Sequence, residues 1–213
     1  MKRLGPWLTL AAVAVLGLVL LVVNMSKDTE PAAAPPNSPA SATAAPTSAA
    51  PRATPFPANA DYVGTIPLAA GGTMTVEITV EGDKAIAYAC DGKTVESWLQ
   101  GTATNGALKL TGKNDATLTG THDGKAVNGS LAIGGKQWDF TALPVTQPAG
   151  LYVYSADGVR QSWIVDGTGA VTGVQRAADG STAPAAPLNA DATAVVNGRK
   201  ITATKVSGGD SVG

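Results

Sequence analysis

The chain of 213 residues has one cysteine, one histidine and few aromatics, which make up 5% of it. One cysteine excludes a disulfide framework and any multi-cysteine zinc site. Lys and Arg number 15 against 16 Asp and Glu, for a net charge of -1. The chain therefore lacks the basic face that a phosphate-backbone binder needs, and nucleic acid is not an expected partner. No Gly-x-Gly-x-x-Gly or phosphate loop follows a strand and opens a helix. No Gly-x-Ser-x-Gly elbow is present either. After residue 24 no window carries convincing helical periodicity. With so few rings, a folded interior must rely on Val, Leu, Ile and Ala. No cofactor and no metal are expected.

What is present divides into segments with different physics. Lys2 and Arg3 precede an uncharged apolar run over residues 5–23. About 19 residues at 1.5 Å each can cross a hydrocarbon core of about 30 Å. The flanking charge places the N-terminus in the cytoplasm, with Trp7 near the interface. A cleaved signal peptide is the rival reading. Its apolar region is usually shorter, and the run here ends in Val22-Val23-Asn24-Met25-Ser26-Lys27, a poor cleavage site. A retained transmembrane anchor over residues 1–26 is therefore expected, with the rest of the chain beyond the membrane. Residues 27–60 are rich in Pro, Ala, Ser and Thr. They read as a disordered linker, since Pro breaks helices and the small residues have little to bury.

From residue 61 to 207 short runs of β-branched and aromatic residues alternate with polar ones. In Thr73-Met74-Thr75-Val76-Glu77-Ile78-Thr79-Val80-Glu81 the apolar residues form one face and the threonines and glutamates the other, as in a half-buried antiparallel strand. Gly82-Asp83, Asp91-Gly92, Asn105-Gly106, Asp123-Gly124, Gly134-Gly135, Asp157-Gly158, Asp166-Gly167, Asp179-Gly180 and Asn197-Gly198 mark turns. Strands are expected over 61–66, 73–81, 84–90, 94–100, 107–112, 116–121, 125–133, 136–142, 151–155, 160–166, 170–176, 192–196 and 200–206. This spacing predicts an all-β antiparallel meander. Gly112, Gly120 and Gly129 inside strands suggest bends that let the sheet curl into a small barrel or a sandwich. Residues 208–213 are left as a flexible tail. Tyr88, Trp98, Trp138, Phe140, Tyr152 and Trp163 are the expected core aromatics.

Two stretches resemble each other. Tyr88 leads through Asp91-Gly92 to Ser97-Trp98, and Tyr154 through Asp157-Gly158 to Ser162-Trp163, one residue shorter. Each predicts a hairpin with a cross-strand Tyr/Trp contact. Either two related lobes present Tyr88, Trp98, Tyr154 and Trp163 at a shared ligand site, or a common hairpin recipe recurs.

Catalytic candidates are sparse. His122, beside Asp123 at an expected turn, reads as a solvent-exposed turn histidine, because adjacent side chains on a strand end face opposite ways. Cys90, with no base next to it and Asp91 beside it, reads as a small buried hydrophobe rather than a nucleophile. Most aspartates fall in Asp-Gly turns that they stabilise. Glu96 and Asp139, beside Trp98 and Trp138, come nearest to a glycosidase pair. Asp166-Gly167-Thr168-Gly169 lacks the spaced acidic ligands of a calcium loop.

The stretch Tyr88 to Lys93 with Ser97-Trp98-Leu99, then Gly129-Ser130-Leu131, Trp138-Asp139-Phe140 and Gly150-Leu151-Tyr152, set in an Ala/Gly/Thr/Pro-heavy chain, resembles membrane-anchored exported β-rich proteins of unknown function from high-GC actinobacteria. The resemblance spans about residues 61–206 and implies a cell-envelope location. It carries no catalytic residues. The expected protein is a non-enzymatic, single-pass envelope module whose outer domain meets a protein, glycan or lipid. A β-barrel carrier of an apolar ligand is the alternative, and an envelope hydrolase stands third.

Overall fold

The computed structural model describes residues 53–211. The expected anchor and most of the expected linker lie outside the described residues. All regular structure among the described residues is β, and no helix there is long and apolar enough to cross a membrane.

Eight strands close into an antiparallel up-and-down barrel: β1 (Asn59–Pro67), β2 (Thr73–Glu81), β3 (Lys84–Cys90), β4 (Glu96–Thr104), β5 (Ala107–Gly112), β6 (Thr117–His122), β7 (Val127–Ile133) and β8 (Lys136–Val145). β1 closes the ring on β8 through the Tyr62–Pro144 register. The remaining strands are β9 (Gly150–Ala156), β10 (Val159–Val165), β11 (Val171–Arg176), β12 (Thr182–Pro184), β13 (Thr193–Val196), β14 (Arg199–Thr202) and β15 (Thr204–Lys205). They form a sheet in the order β12-β11-β10-β9-β15 and a separate β13–β14 hairpin. Of barrel and sandwich, the first eight strands take the barrel.

Eight of the nine Gly dipeptides sort into two kinds of connection. Asn105-Gly106, Gly134-Gly135, Asp157-Gly158 and Asn197-Gly198 have positive φ at both residues, as two-residue type I′ turns require. Asp91, Asp123, Asp166 and Asp179 instead begin longer loops, and each carboxylate accepts backbone N–H groups from its own loop. This explains the shifted edges. The strand expected from 94 starts at Glu96, and the one expected from 125 starts at Val127. The expected strand 200–206 is two pieces, because the Ala203 N–H turns to Ala192 O at 2.8 Å. β12 was too short and Pro-bounded to register as a periodic run.

An eight-stranded barrel is just wide enough to be filled by side chains. Here the inward row includes Tyr62, Ile66, Met74, Ile78, Leu99, Leu110, Leu118 and Phe140, all buried in one cluster. The larger residues are balanced by Ala85, Ala87 and Ala89, which form the inward row of β3. Gly120 and Gly129 pair directly across β6 and β7. A Cβ on Gly129 would lie 2.3 Å from Thr119 O and 2.9 Å from the Phe140 ring. The glycines there make room for a tight strand approach under that aromatic.

The second sheet packs on the outside of the barrel wall. Ile86, Tyr88 and Cys90 point outward from β3 and meet Leu151, Ile164, Val174 and Val206. β3 is thus apolar on both rows and buried on both faces, unlike an ordinary barrel strand. The polar face expected for β2 is buried too. Thr75, Glu77 and Thr79 are all at most 8% exposed, because the second sheet lies over them. The interface is tied by Thr75 to Thr172 at 3.3 Å, Thr182 to Thr94 O at 2.7 Å and Lys205 to Asp61 at 2.6 Å.

Both ends of the expected β segment require correction. Residues 59–60 belong to β1, and Thr54 docks on the barrel through its N–H to His122 O at 2.7 Å. Phe56 stacks on His122 at 5.0 Å. His122 is consequently buried, at 5% exposure, and is not a solvent-exposed turn histidine. Nor is the expected tail 208–213 free at its start, where Gly209 follows Ser207 onto β2. Ser207 and Gly209 both bond the Glu81 carboxylate.

Candidate functional site

Of the four aromatics expected at a ligand site, Tyr88 and Trp98 come together. They are direct cross-strand partners on the outer wall, with ring centroids 4.7 Å apart and planes at 45°. Tyr154 and Trp163 lie on the opposite face of the second sheet, away from the barrel. There Trp163 is 1% exposed and its indole N–H donates to Ala186 O at 2.7 Å. Trp163 pairs directly with Tyr152, and Tyr154 pairs with Gln161. The two hairpins therefore do not present their aromatics at one site.

Tyr88 and Trp98 border a charged cluster that sequence reasoning missed. Arg160 on β10 and Arg176 on β11 are direct cross-strand partners on the barrel-facing side of the second sheet. Like charges directly opposite one another repel. Glu96, at the start of β4, reaches between them from the barrel. Its Oε1 accepts from Arg160 Nη2 at 3.0 Å and from Arg176 Nε. Its Oε2 accepts from the Tyr88 hydroxyl at 3.0 Å. The Glu96 side chain is only 1% exposed, while Arg160 and Arg176 are 22% and 40% exposed. Burial, with Cys90 and the Glu96 carboxylate nearby, holds the Tyr88 phenol well above its ordinary pKa. Tyr88 therefore stays a donor. The Arg160 guanidinium lies over the Trp98 ring, 5.2 Å from its centroid, in a cation–π contact.

Arg176 is held twice, through Nε on Glu96 and through Nη1 on Gly180 O at 3.0 Å. A planar guanidinium held at two points is fixed before any ligand arrives. This cluster forms one wall of an open groove of about 490 Å³ at the seam between barrel and sheet. The other walls include Gln100, Thr111, Lys113 and Asn114. The β5–β6 loop that supplies Lys113 and Asn114 holds Asn114 and Asp115 in the left-handed region, at φ 55° and 57°. Asn and Asp tolerate that region best among residues with side chains. The groove thus has three cationic side chains against one carboxylate, with amides and hydroxyls around them.

The remaining candidates go elsewhere. Cys90 is fully buried, and burial pushes its thiol up to about 12, which suits a small hydrophobe and not a nucleophile. Asp139 is exposed on β8, four strands from β4 in the ring, so it and Glu96 occupy opposite outer walls. The Asp166 carboxylate is taken up by Thr168 and Ala170 of its own loop. Glu77, cross-strand to Tyr88, is wholly buried, with the Asp61 carboxyl beside it and, among the described residues, no arginine or tyrosine on its oxygens. Burial and then the Asp61 charge push its pKa well above the ordinary carboxylate value, with Lys205 pulling the other way.

One signal for the covered wall was legible. From Ala85 to Cys90 the sequence offers no charged residue on either row, which marks a strand buried on both faces. Nothing comparable marks Arg160 and Arg176, whose pairing depends on the register of two hairpins distant from β4. No family model, curated protein or solved structure matches the chain.

Proposed function

We propose that this protein is a membrane-anchored, extracytoplasmic and non-enzymatic binding module of the cell envelope, with the seam groove as its ligand site. The observation that carries the reading is the pair of cross-strand arginines fixed by Glu96 at the edge of an open groove. The apolar N-terminal run and the Pro/Ala-rich stretch support the layout of anchor, spacer and domain. The barrel carrier is less favoured, because the interior is taken by the protein's own Tyr62, Met74, Leu99 and Phe140. The hydrolase is less favoured because Glu96 is committed to two arginines and Tyr88.

The test uses the full chain in its native membranes with a photo-crosslinking residue placed at Asn114 or, as a control, at Asp139 on the opposite wall. A discrete adduct mass at position 114, missing at position 139, is the expected outcome. Identical adducts at the two positions, or recovery of the chain from the soluble fraction, would remove the reading.

A further inference from the structure

Resting on the seam groove as the ligand site, we infer that its ligand is an acidic saccharide: a sugar ring bearing a carboxylate or phosphate, the anion held by Arg176 and Lys113 and the hydroxyls by Gln100 and Asn114. Charge comes first. Glu96 is the one carboxylate among the lining residues of the groove, which also include Arg160, Arg176 and Lys113. Its Oε1 is shared by both arginines and its Oε2 is engaged by Tyr88. Arg176 keeps 40% of its side chain open and Lys113 is exposed on its loop, so these two cations are presented to a ligand anion at a wall where Glu96 is already engaged.

Geometry comes second. Arg176 spends Nε on Glu96 and Nη1 on Gly180 O, and 40% of its side chain remains open. A guanidinium has five N–H donors in a fork that matches carboxylate and phosphate oxygens, so the Nη2 edge is left for such a group. Lys113, on the β5–β6 loop, is exposed and lines the same groove.

The rest of the wall selects what carries the anion. Gln100 and Asn114 each offer an amide donor and acceptor, and Thr111 offers a hydroxyl. Trp98 and Ile133 add limited apolar surface. Hydroxyl-rich rings with small apolar faces fit that mixture, and an acyl chain does not. A groove of about 490 Å³ lies within the usual range of about 300–1,000 Å³ for small-ligand sites.

The experiment titrates the full chain in a nonionic detergent with four probes: tetragalacturonate, the neutral maltotetraose, inorganic phosphate and a tetraglutamate peptide. Binding is read by calorimetry and by the Trp98 indole resonance. Tetragalacturonate should bind at least tenfold more tightly than each of the others and weaken as salt rises. Arg176→Gln should weaken it by about tenfold or more. Lys113→Gln, on an exposed loop where folding is not at risk, should weaken it severalfold. Equal binding of maltotetraose, phosphate or the peptide would overturn the ligand class while leaving the groove a binding site. Binding unaffected by Lys113→Gln and Arg176→Gln would overturn the site itself, and silence from all four probes would overturn the inference.

Discussion

In the β3–β4 hairpin Tyr88 faces Trp98 directly, whereas in the β9–β10 hairpin Trp163 faces Tyr152 and lies only diagonal to Tyr154. The two sequences match in kind and differ by one residue between Tyr and Trp. The loops account for the difference. Residues 91–95 form a long loop organised by the Asp91 carboxylate, while Asp157-Gly158 is a two-residue turn. Register follows loop length, and register decides which side chains meet. Environment then decides what the pair does. Tyr88 and Trp98 stand beside two arginines at the rim of a groove, while Trp163 is sealed beneath Leu188, Ala194 and Ile201, with its N–H satisfied internally. A shared recipe has given one hairpin a role at the groove and the other a role in the core.

If that division is right, the two tryptophans must respond unequally. Trp163→Ala removes a fully buried ring and a satisfied N–H, and should cost about 3–5 kcal/mol in denaturant unfolding. Trp98→Ala removes a half-buried ring and should cost less than half as much, while weakening binding at the groove. Equal losses from the two variants would break the comparison.

Glu96 gives the next largest effect. Glu96→Gln leaves Arg160 opposite Arg176 without the anion between them. Breaking a buried charge pair costs about 3–5 kcal/mol. Because the arginines are 22% and 40% exposed, solvent reduces this to about 2 kcal/mol. Arg176→Gln in the same chain should recover part of the loss, as a double-mutant cycle detects. Strict additivity would mean that Glu96 does not mediate between the arginines.

These particulars show what a sequence can carry. The β2 alternation, the glycine turns and Gly120 and Gly129 made the meander legible, because each is a local property of the backbone. The barrel's outer wall was harder. Thr75, Glu77 and Thr79 look like a solvent face until a sheet more than seventy residues later covers them. His122 looked exposed for the same reason, since Phe56 and Thr54 reach it from a stretch that read as linker. The groove was the least legible. Its cations come from the β5–β6 loop, β10 and β11, and only tertiary register assembles them.

Glu77 sharpens the contrast between two buried carboxylates on one wall. Glu96 is held by two arginines and a tyrosine, whereas Glu77 lies against a second carboxyl, that of Asp61. With its folded pKa raised, the folded state binds a proton that the unfolded chain has released. The resulting stability is present below the ordinary value of 4.5 and is lost as pH rises from there through the raised folded value. Glu77→Gln should flatten that limb and raise stability near neutral pH, because the amide has no proton to lose as the pH rises. Parallel wild-type and variant profiles above pH 4.5 would show that Glu77 is not the titrating group.

The smallest effects return to the two loops. Burial opposes ionisation of Asp91, but the N–H groups of Lys93, Val95 and Thr94 outweigh it and lower the pKa. Its contribution is therefore complete above the ordinary value of 3.8 and is lost as pH falls through the lowered folded value. Asp91→Ala strips the acceptor from three backbone donors and should cost about 1 kcal/mol, in the range of a lost cap. It should also flatten the acid limb of the stability profile. Asp157 serves through its backbone, at φ 53°, a conformation that Asn adopts as readily. Asp157→Asn should therefore stay within about 0.5 kcal/mol of the parent. If instead Asp157→Asn matched Asp91→Ala in thermal unfolding, the loop carboxylate would have no special role in the first hairpin. Its register would then have to come from the Tyr88–Trp98 contact alone.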